Sequence, residues 1–326
     1  MTKFLKDHKL SLLCFIMVSI ILGMINLKTH NQIIIMERFI PGTAWIEIIL
    51  VSFYAAFLAY KMKDPANVPV WRQRSWFIFT IVFFSQLILG LIGFEKFLMT
   101  GNLHLPVPAM IISGPIFRGE TSFMTFLFLS TIILSGPTWC SHLCYFGAMD
   151  GMLAKGKTSR RPLKNKFRIK HSILVLVIGC TILLRLLNVE LIYAVIFGAT
   201  FGIVGLLIIF LFSNRKKKMV HCIAYCPIGT IVNYLKYISP FRLKIDNSCT
   251  MCAHCIPQCK YDALNINDLK NGKPGLTCTL CGDCIPACHV SSIQYKFLNL
   301  SPTAARNLYL VISISLHAVF LALGRI

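Results

Sequence analysis

Two stretches decide how this chain is read: Cys249-Thr250-Met251-Cys252-Ala253-His254-Cys255-Ile256-Pro257-Gln258-Cys259 and Cys278-Thr279-Leu280-Cys281-Gly282-Asp283-Cys284-Ile285-Pro286-Ala287-Cys288. Both space their cysteines by two, two and three residues, and the second repeats the first at a constant offset of 29 residues. A loop with a cysteine at every third position can wrap three thiolates around a compact iron–sulfur cube while a distant thiolate closes the fourth iron. In such a duplicated run the fourth cysteine serves the other cluster. The spacing therefore predicts one [4Fe-4S] centre on Cys249, Cys252, Cys255 and Cys288, and a second on Cys278, Cys281, Cys284 and Cys259. Structural zinc sites instead pair cysteines as separated knuckles, and three cysteines in tight succession would crowd a tetrahedral ion. The flanks extend the repeat: Ala263-Leu264-Asn265-Ile266 matches Ser292-Ile293-Gln294-Tyr295, as a duplicated strand would. Lys260 and His289 stand where proline commonly follows the fourth cysteine, and Pro257 and Pro286 sit two residues after the third instead.

Of the 326 residues, 56% are hydrophobic and only 14% charged, with a mean hydropathy of +0.69. That is too apolar for an ordinary soluble domain. The net charge of +21 would suit nucleic acid. Here, however, the basic runs abut apolar segments without an interleaved aromatic platform, which leaves no nucleic-acid partner. The 14 cysteines could form disulfides in an oxidising compartment, but cluster spacing argues for a reducing one.

Seven apolar runs are about long enough to span a bilayer: Leu10 to Leu27, Ala44 to Tyr60, Trp76 to Phe94, Ser122 to Trp139, Ser172 to Leu187, Leu191 to Phe212, and Leu308 to Leu323. No small-residue cleavage site follows Ile25 and Asn26, so the first run reads as a retained anchor rather than a secretory signal. Cytoplasmic loops carry the excess of lysine and arginine. With the N-terminus inside, 27 of the 33 basic residues are cytoplasmic, leaving Lys28, Arg38, Lys96, Arg118, Arg185 and Arg325 outside. The expected fold is a membrane α-helical bundle of about seven transmembrane helices with an inserted α+β ferredoxin-like module for two [4Fe-4S] clusters. Residues 1–212 form the bundle, 213–303 the cytoplasmic module and 304–326 the last helix, whose C-terminus lies outside. The long outer segment 95–120 holds Gly101, His104, Pro106, Pro108, Gly114, Pro115, Arg118 and Glu120. Segments of this length are often functional. A quinone headgroup served by His104 or Glu120 is one reading, and a structural cap built on the apolar patch Val107 to Ile112 is the favoured one.

Two further pairs, Cys140-Ser141-His142-Leu143-Cys144 and Cys222-Ile223-Ala224-Tyr225-Cys226-Pro227, each follow a predicted span. The spacing sets both sulfurs on one side of a helical turn, so two such pairs could supply four thiolates to an additional thiol or metal site. The competing reading packs them as small apolar residues at helix ends. Cys14 and Cys180 stand alone within spans and read as core.

A membrane segment ending in Trp139-Cys140 and Cys144, a later Cys222 and Cys226-Pro227, then two ferredoxin motifs, together resemble the NapH and NosR family of membrane polyferredoxins, which includes YccM-type proteins. The resemblance covers roughly residues 76 to 296. It implies a bacterial inner-membrane protein that passes electrons between the quinone pool and a partner redox system. Tyr145 stands where the family's first pair is usually followed by proline, and the large outer flavin-binding domain of NosR proper has no counterpart here. Phe197-Gly198-Ala199-Thr200 is similar to a covalent flavin site but lacks its leading serine, so flavin is not expected, and Gly198, Gly202 and Gly205 mark a close helix contact instead.

Of the histidines, only His317 lies well inside a span, which disfavours a transmembrane haem. His142, His221, His254 and His289 neighbour cysteines, where hydrogen bonds could tune a cluster. Glu47 is an in-span carboxylate near an outer end, where such groups are costly. Lys216, Lys217, Lys218, Lys236, Arg242, Lys244 and Lys260 give the module a basic face suited to an acidic flavodoxin, ferredoxin or reductase subunit, or to an anionic lipid surface. No nucleophile with a paired base, phosphate-cradling loop or carboxylate dyad appears in the cytoplasmic part. The chain thus reads as an electron-transfer component rather than a stand-alone enzyme. The alternatives are a maturation or reactivation factor reducing another enzyme's metal centre, and a quinol-oxidising subunit.

Overall fold

The computed structural model describes residues 2–28, 33–94, 97, 107–121, 123–156, 158 and 161–324. Among them six helices are long and apolar enough to cross a membrane: His8–Lys28, Ala44–Met62, Pro65–Ile92, Lys166–Leu186, Leu191–Lys216 and Pro302–Leu323. They point to a membrane protein. The seventh expected span, 122–139, is not among them. Its helix runs only Phe123–Ser135, about 20 Å by helical rise against a hydrocarbon core of about 30 Å. Gly136 takes a left-handed backbone (φ 68°), and Pro137 has no N–H to continue the ladder. The third span begins earlier than expected. Its helix Val68–Ile92 takes in Arg72 and Arg74, and the buried Arg72 guanidinium lies 5.2 Å from the Trp76 ring centre, a cation–π contact.

Contacts divide the chain into two compact units, residues 1–104 with 300–326 and residues 105–299. This division follows packing, whereas the sequence boundaries at 212 and 303 follow polarity. In the first unit Leu10, Cys14, Val18 and Leu22 recur every fourth residue on one helix face and share a buried cluster with Ile48, Ala55, Leu58, Leu310, Ile314 and Ala318. Leu12, Ile20, Phe53 and Ile88 point outward, as lipid allows. Several buried polar groups find partners inside. The Ser19 hydroxyl donates to Ser52 at 2.8 Å, the Tyr54 hydroxyl lies 3.1 Å from His317 Nε2, and the Glu47 carboxylate accepts the Met36 N–H at 2.7 Å.

In the second unit the helix Leu191–Ile208 buries Gly198, Gly202 and Gly205. A side chain at Gly202 would stand 2.7 Å from Val107 Cγ2, and one at Gly205 would stand 3.4 Å from the His221 and Tyr225 rings. The glycines therefore admit Val107 and two rings rather than another span, while Thr200 is exposed. Cys180 is only half-buried. Glu120 is exposed, and His104 lies outside the described residues.

The cysteine-rich stretch is closed by two antiparallel strands, β1 (Phe241–Ile245) and β2 (Ile293–Phe297), with Phe241 opposite Phe297 and Ile245 opposite Ile293. Phe241, Leu243 and Ile245 face inward while Arg242 and Lys244 alternate away. Only the second copy of the expected duplicated strand is extended. The first, Ala263 to Ile266, runs instead into a helix, Ile266–Lys270, because the Asn265 side chain accepts the Asn267 and Asp268 N–H groups while the Asp268 carboxylate accepts the Asn265 N–H. This is a capping box.

Gly202→Val should cost about 1–3 kcal/mol through overpacking, seen as a lower unfolding temperature in detergent. Adding Val107→Ala should recover part of the loss; a Gly202→Val protein as stable as its parent would contradict the close approach.

Candidate metal centres

The duplication in the spacing recurs in the backbone. Met251 and Leu280 (both φ 56°), Ala253 and Gly282 (60° and 80°), and Asp262 and Ser291 (53° and 51°) are all left-handed. Non-glycine residues rarely adopt this region, so its recurrence marks one loop shape imposed twice. After each fourth cysteine, the residue four positions on donates its N–H to the sulfur: Ala263 to Cys259 Sγ at 3.3 Å and Ser292 to Cys288 Sγ at 3.2 Å. Lys260, in place of proline, donates from Nζ to the Ala154 carbonyl at 2.5 Å, and its own carbonyl accepts the Met219 N–H at 3.0 Å.

The eight cysteines fall into two quartets. Cys259, Cys278, Cys281 and Cys284 line one cavity together with Leu243, Tyr261, Leu264 and Thr279. Cys255 interacts electrostatically with Cys288, Cys249 and Cys252, so the fourth cysteine of each run sits with the first three of the other. Burial pushes the Cys259 thiol up to about 12 and Cys255 to about 11. At Cys288 burial pushes the same way, but the Ser292 hydroxyl and nearby backbone N–H groups outweigh it and hold the thiol below its ordinary value. Cys252 is exposed, and the exposed rings of His254 and His289 meet edge-on at 5.1 Å. The quartet of Cys249, Cys252, Cys255 and Cys288 therefore faces outward, and that of Cys259, Cys278, Cys281 and Cys284 is enclosed.

The C-x3-C pairs form a second duplication, at an offset of 82 residues. Trp139–Leu143 and His221–Tyr225 are single π-helical turns, closed by Cys144 N–H to Trp139 O at 2.9 Å and Cys226 N–H to His221 O at 2.8 Å. Each second cysteine then leaves the helix in an extended conformation and caps a nine-residue helix, Tyr145–Leu153 or Pro227–Leu235. Its sulfur accepts the Gly147 or Gly229 N–H, at 3.5 Å in both. The expected helical turn is thus a wider one, of a kind frequent at functional sites. Tyr145 occupies the same first helical position as Pro227, where a missing N–H is tolerated but not required.

Cys140, Cys144, Cys222 and Cys226 line a single cavity. Burial pushes all four thiols up, Cys144 to about 12. Asp150 Oδ2 accepts the Cys222 N–H at 2.9 Å, and burial raises that carboxyl to about 6. The Tyr261 hydroxyl donates to the Cys140 carbonyl at 2.7 Å, and the Ser141 hydroxyl donates to the Thr279 carbonyl at 3.2 Å. Tyr261 and Thr279 line both this cavity and that of the enclosed quartet. Of the neighbouring histidines, His142 and His221 are buried, and burial pushes His221 down to about 3.

Among the described residues, no three His, Cys, Asp or Glu side chains gather closely enough to hold a single metal ion. A tetrahedral zinc with bonds of about 2.3 Å would draw its sulfurs to about 3.8 Å of one another. A cube offering one iron to each thiolate holds them further apart, so the all-thiol donor sets suit clusters.

The expected basic face is smaller than its lysine count. Lys218 and Lys236 are buried. Lys218 pairs with Asp262, which also accepts from Lys166 and the Leu163 N–H, both at 2.9 Å. Lys236 donates to the carbonyls of Leu276 at 2.6 Å and Cys278 at 3.0 Å. Composition carries no signal that separates such buried cations from surface ones.

Residues 119–170 and 199–246 match a family model described as a 4Fe-4S binding domain. The match supports a 4Fe-4S binding family; its segments take in both C-x3-C pairs and end before Cys249. No curated protein and no solved structure matches the chain.

Burial alone would push the Asp262 carboxyl up, but Lys218, Lys166 and the Leu163 N–H hold it below the usual carboxylate range. A carboxyl depressed in the folded state stabilises above its unfolded pKa, about 3.9, and that contribution is lost as pH falls through the folded value. The Asp262 contribution to stability in detergent should therefore hold from pH 7 to about 5 and fall below about 4. Asp262→Ala, which strands a buried lysine, should cost about 3–5 kcal/mol at pH 7 and flatten the acid limb of the thermal-unfolding profile.

Proposed function

We propose that this chain is a membrane-bound iron–sulfur electron-transfer component. It holds one [4Fe-4S] centre on Cys249, Cys252, Cys255 and Cys288 and another on Cys278, Cys281, Cys284 and Cys259. It relays electrons between the quinone pool or a membrane partner and a redox partner protein. The observation that supports this reading is the grouping of Cys259 with Cys278, Cys281 and Cys284 around one cavity, and of Cys255 with Cys249, Cys252 and Cys288. Bound there, such centres supply one-electron transfer at potentials set by hydrogen bonds, charge and exposure.

The residues around the quartets suit that task. Ala263 and Ser292 donate backbone N–H groups to sulfur, which favours the charged form of each ligand. Lys236 places a buried cation beside Cys278, favouring electron uptake at the enclosed quartet. Leu243, Leu264 and Tyr261 keep water from it. Exposed Cys252, His254 and His289 form a rim where a soluble partner can approach. Lys216 and Lys244 remain exposed for an acidic flavodoxin, ferredoxin or reductase subunit. The finer likeness to NapH and NosR, the bacterial inner-membrane setting and the cytoplasmic side of the module belong to this proposal. They rest on the order of the motifs and the distribution of lysine and arginine.

Anaerobically purified protein should be brown, and Cys281→Ala should remove about four irons and one paramagnetic signal while Cys249→Ala removes a second, different signal. Colourless preparations that bind zinc stoichiometrically, or a tag that places Cys249 to Cys288 outside the cell, would end this reading.

A further inference from the structure

The cavity between the two C-x3-C pairs has no part in the relay described above, and three features within it point to a ligand. One is the donor set, four cysteine thiols presented by two π turns that copy one another. Another is a group of polar side chains without partners. Asn233 Nδ2, Thr277 Oγ1 and Thr279 Oγ1 make no hydrogen bond, although their residues are only 5%, 3% and 5% exposed and line this same cavity. Native folds rarely leave buried donors orphaned, and three around one cavity imply an acceptor inside it. The last is charge. Lys170 is 2% exposed, lines the cavity, interacts electrostatically with Cys226, Cys140 and Cys222, and donates to the Gly229 carbonyl at 3.3 Å.

These features select among ligands. A disulfide would use two thiols at a time and leave the amide, the hydroxyls and the lysine without a role. A single zinc ion satisfies the thiolates but offers nothing for a donor to bind, and no three of these groups close around one ion. An iron–sulfur cluster offers one iron to each thiolate, inorganic sulfides that accept hydrogen bonds, and a net negative charge for a cation to offset. The wall of Tyr261 and Thr279 that this cavity shares with the enclosed quartet adds a neighbour of the same chemistry.

We infer that Cys140, Cys144, Cys222 and Cys226 bind a third cluster, of the [4Fe-4S] type. Asn233, Thr277 and Thr279 donate to its sulfides, and Lys170 offsets its charge. Asp150 fixes the Cys222 backbone and serves as a positioning residue. This site does not need the relay reading to hold. Loss of Cys249 or Cys281 tests that reading, while the variants below test the third site alone.

The test is iron and acid-labile sulfide on full-length protein, purified anaerobically and fully reconstituted, with paramagnetic resonance after dithionite reduction. About twelve irons per chain are expected, three clusters of four. Cys222→Ser with Cys226→Ser should lose about a third of them and one signal while keeping the other two. About eight irons in the parent would overturn the site, and about ten would overturn its assignment as [4Fe-4S] in favour of a two-iron centre. If the double variant fails to accumulate, Lys170→Met and Asn233→Leu decide. Both keep all four thiolates and should retain about twelve irons while lowering the midpoint potential of one centre. Unchanged potentials for all centres in both variants would overturn the roles assigned to those residues and, with them, the site.

Discussion

A thiolate removed from water must be compensated by charge or by hydrogen bonds, and this fold withdraws every motif cysteine but Cys252 wholly or partly from solvent. That requirement organises everything around them. The loops bend left-handed so that backbone N–H groups reach sulfur at Cys259 and Cys288. The π turns break at Cys144 and Cys226 so that a helix begins with its free N–H groups toward sulfur. Lys170 and Lys236 are buried beside sulfurs rather than spread over the surface. As free thiols the buried cysteines stay protonated, since burial raises them. Only a bound cationic centre turns them into ligands.

The same solution is reached twice, at different length scales. The 29-residue repeat yields two loops, neither of which completes a quartet alone, and exchange of the fourth cysteine makes each dependent on the other. The 82-residue repeat yields two π turns that each offer two sulfurs. In both cases neither copy gathers four sulfurs by itself, and only packing of the two copies against one another does. The two repeats also touch, since the hydroxyl of Tyr261, two residues past Cys259, donates to the carbonyl of Cys140.

What was legible in the chain follows from how local each constraint is. Ligand spacing is local chemistry, so the assignment of eight cysteines to two quartets with an exchanged fourth member is an expectation the residues alone supply. Span length is nearly local, and it failed at one place: the apolar run over 122–139 looks continuous until Gly136 and Pro137 stop its helix. The strand expected at Ala263 to Ile266 failed because Asn265 and Asp268 cap a helix there, a signal present in the residues but outweighed by the apparent repeat. The buried lysines were illegible, because Lys218 and Lys236 differ from surface lysines only in which carboxylate or carbonyl the fold brings to them. The orphaned donors at Asn233, Thr277 and Thr279 come from segments far apart in sequence and meet only in three dimensions.

Exposure within the second unit then runs in a consistent direction. Cys144, Cys226 and Cys284 are buried and Cys140, Cys222, Cys259 and Cys278 half-buried, whereas Cys252 reaches solvent beside two exposed histidines. Enclosure lowers the local dielectric and makes added negative charge harder to hold, and the buried lysines oppose that penalty where it is greatest. A buried cation beside an enclosed sulfur group offsets part of that penalty and so narrows the difference that unequal solvation makes. Compensation of burial by a lysine is thus the feature that lets sulfur groups be shielded from water while negative charge on them stays affordable.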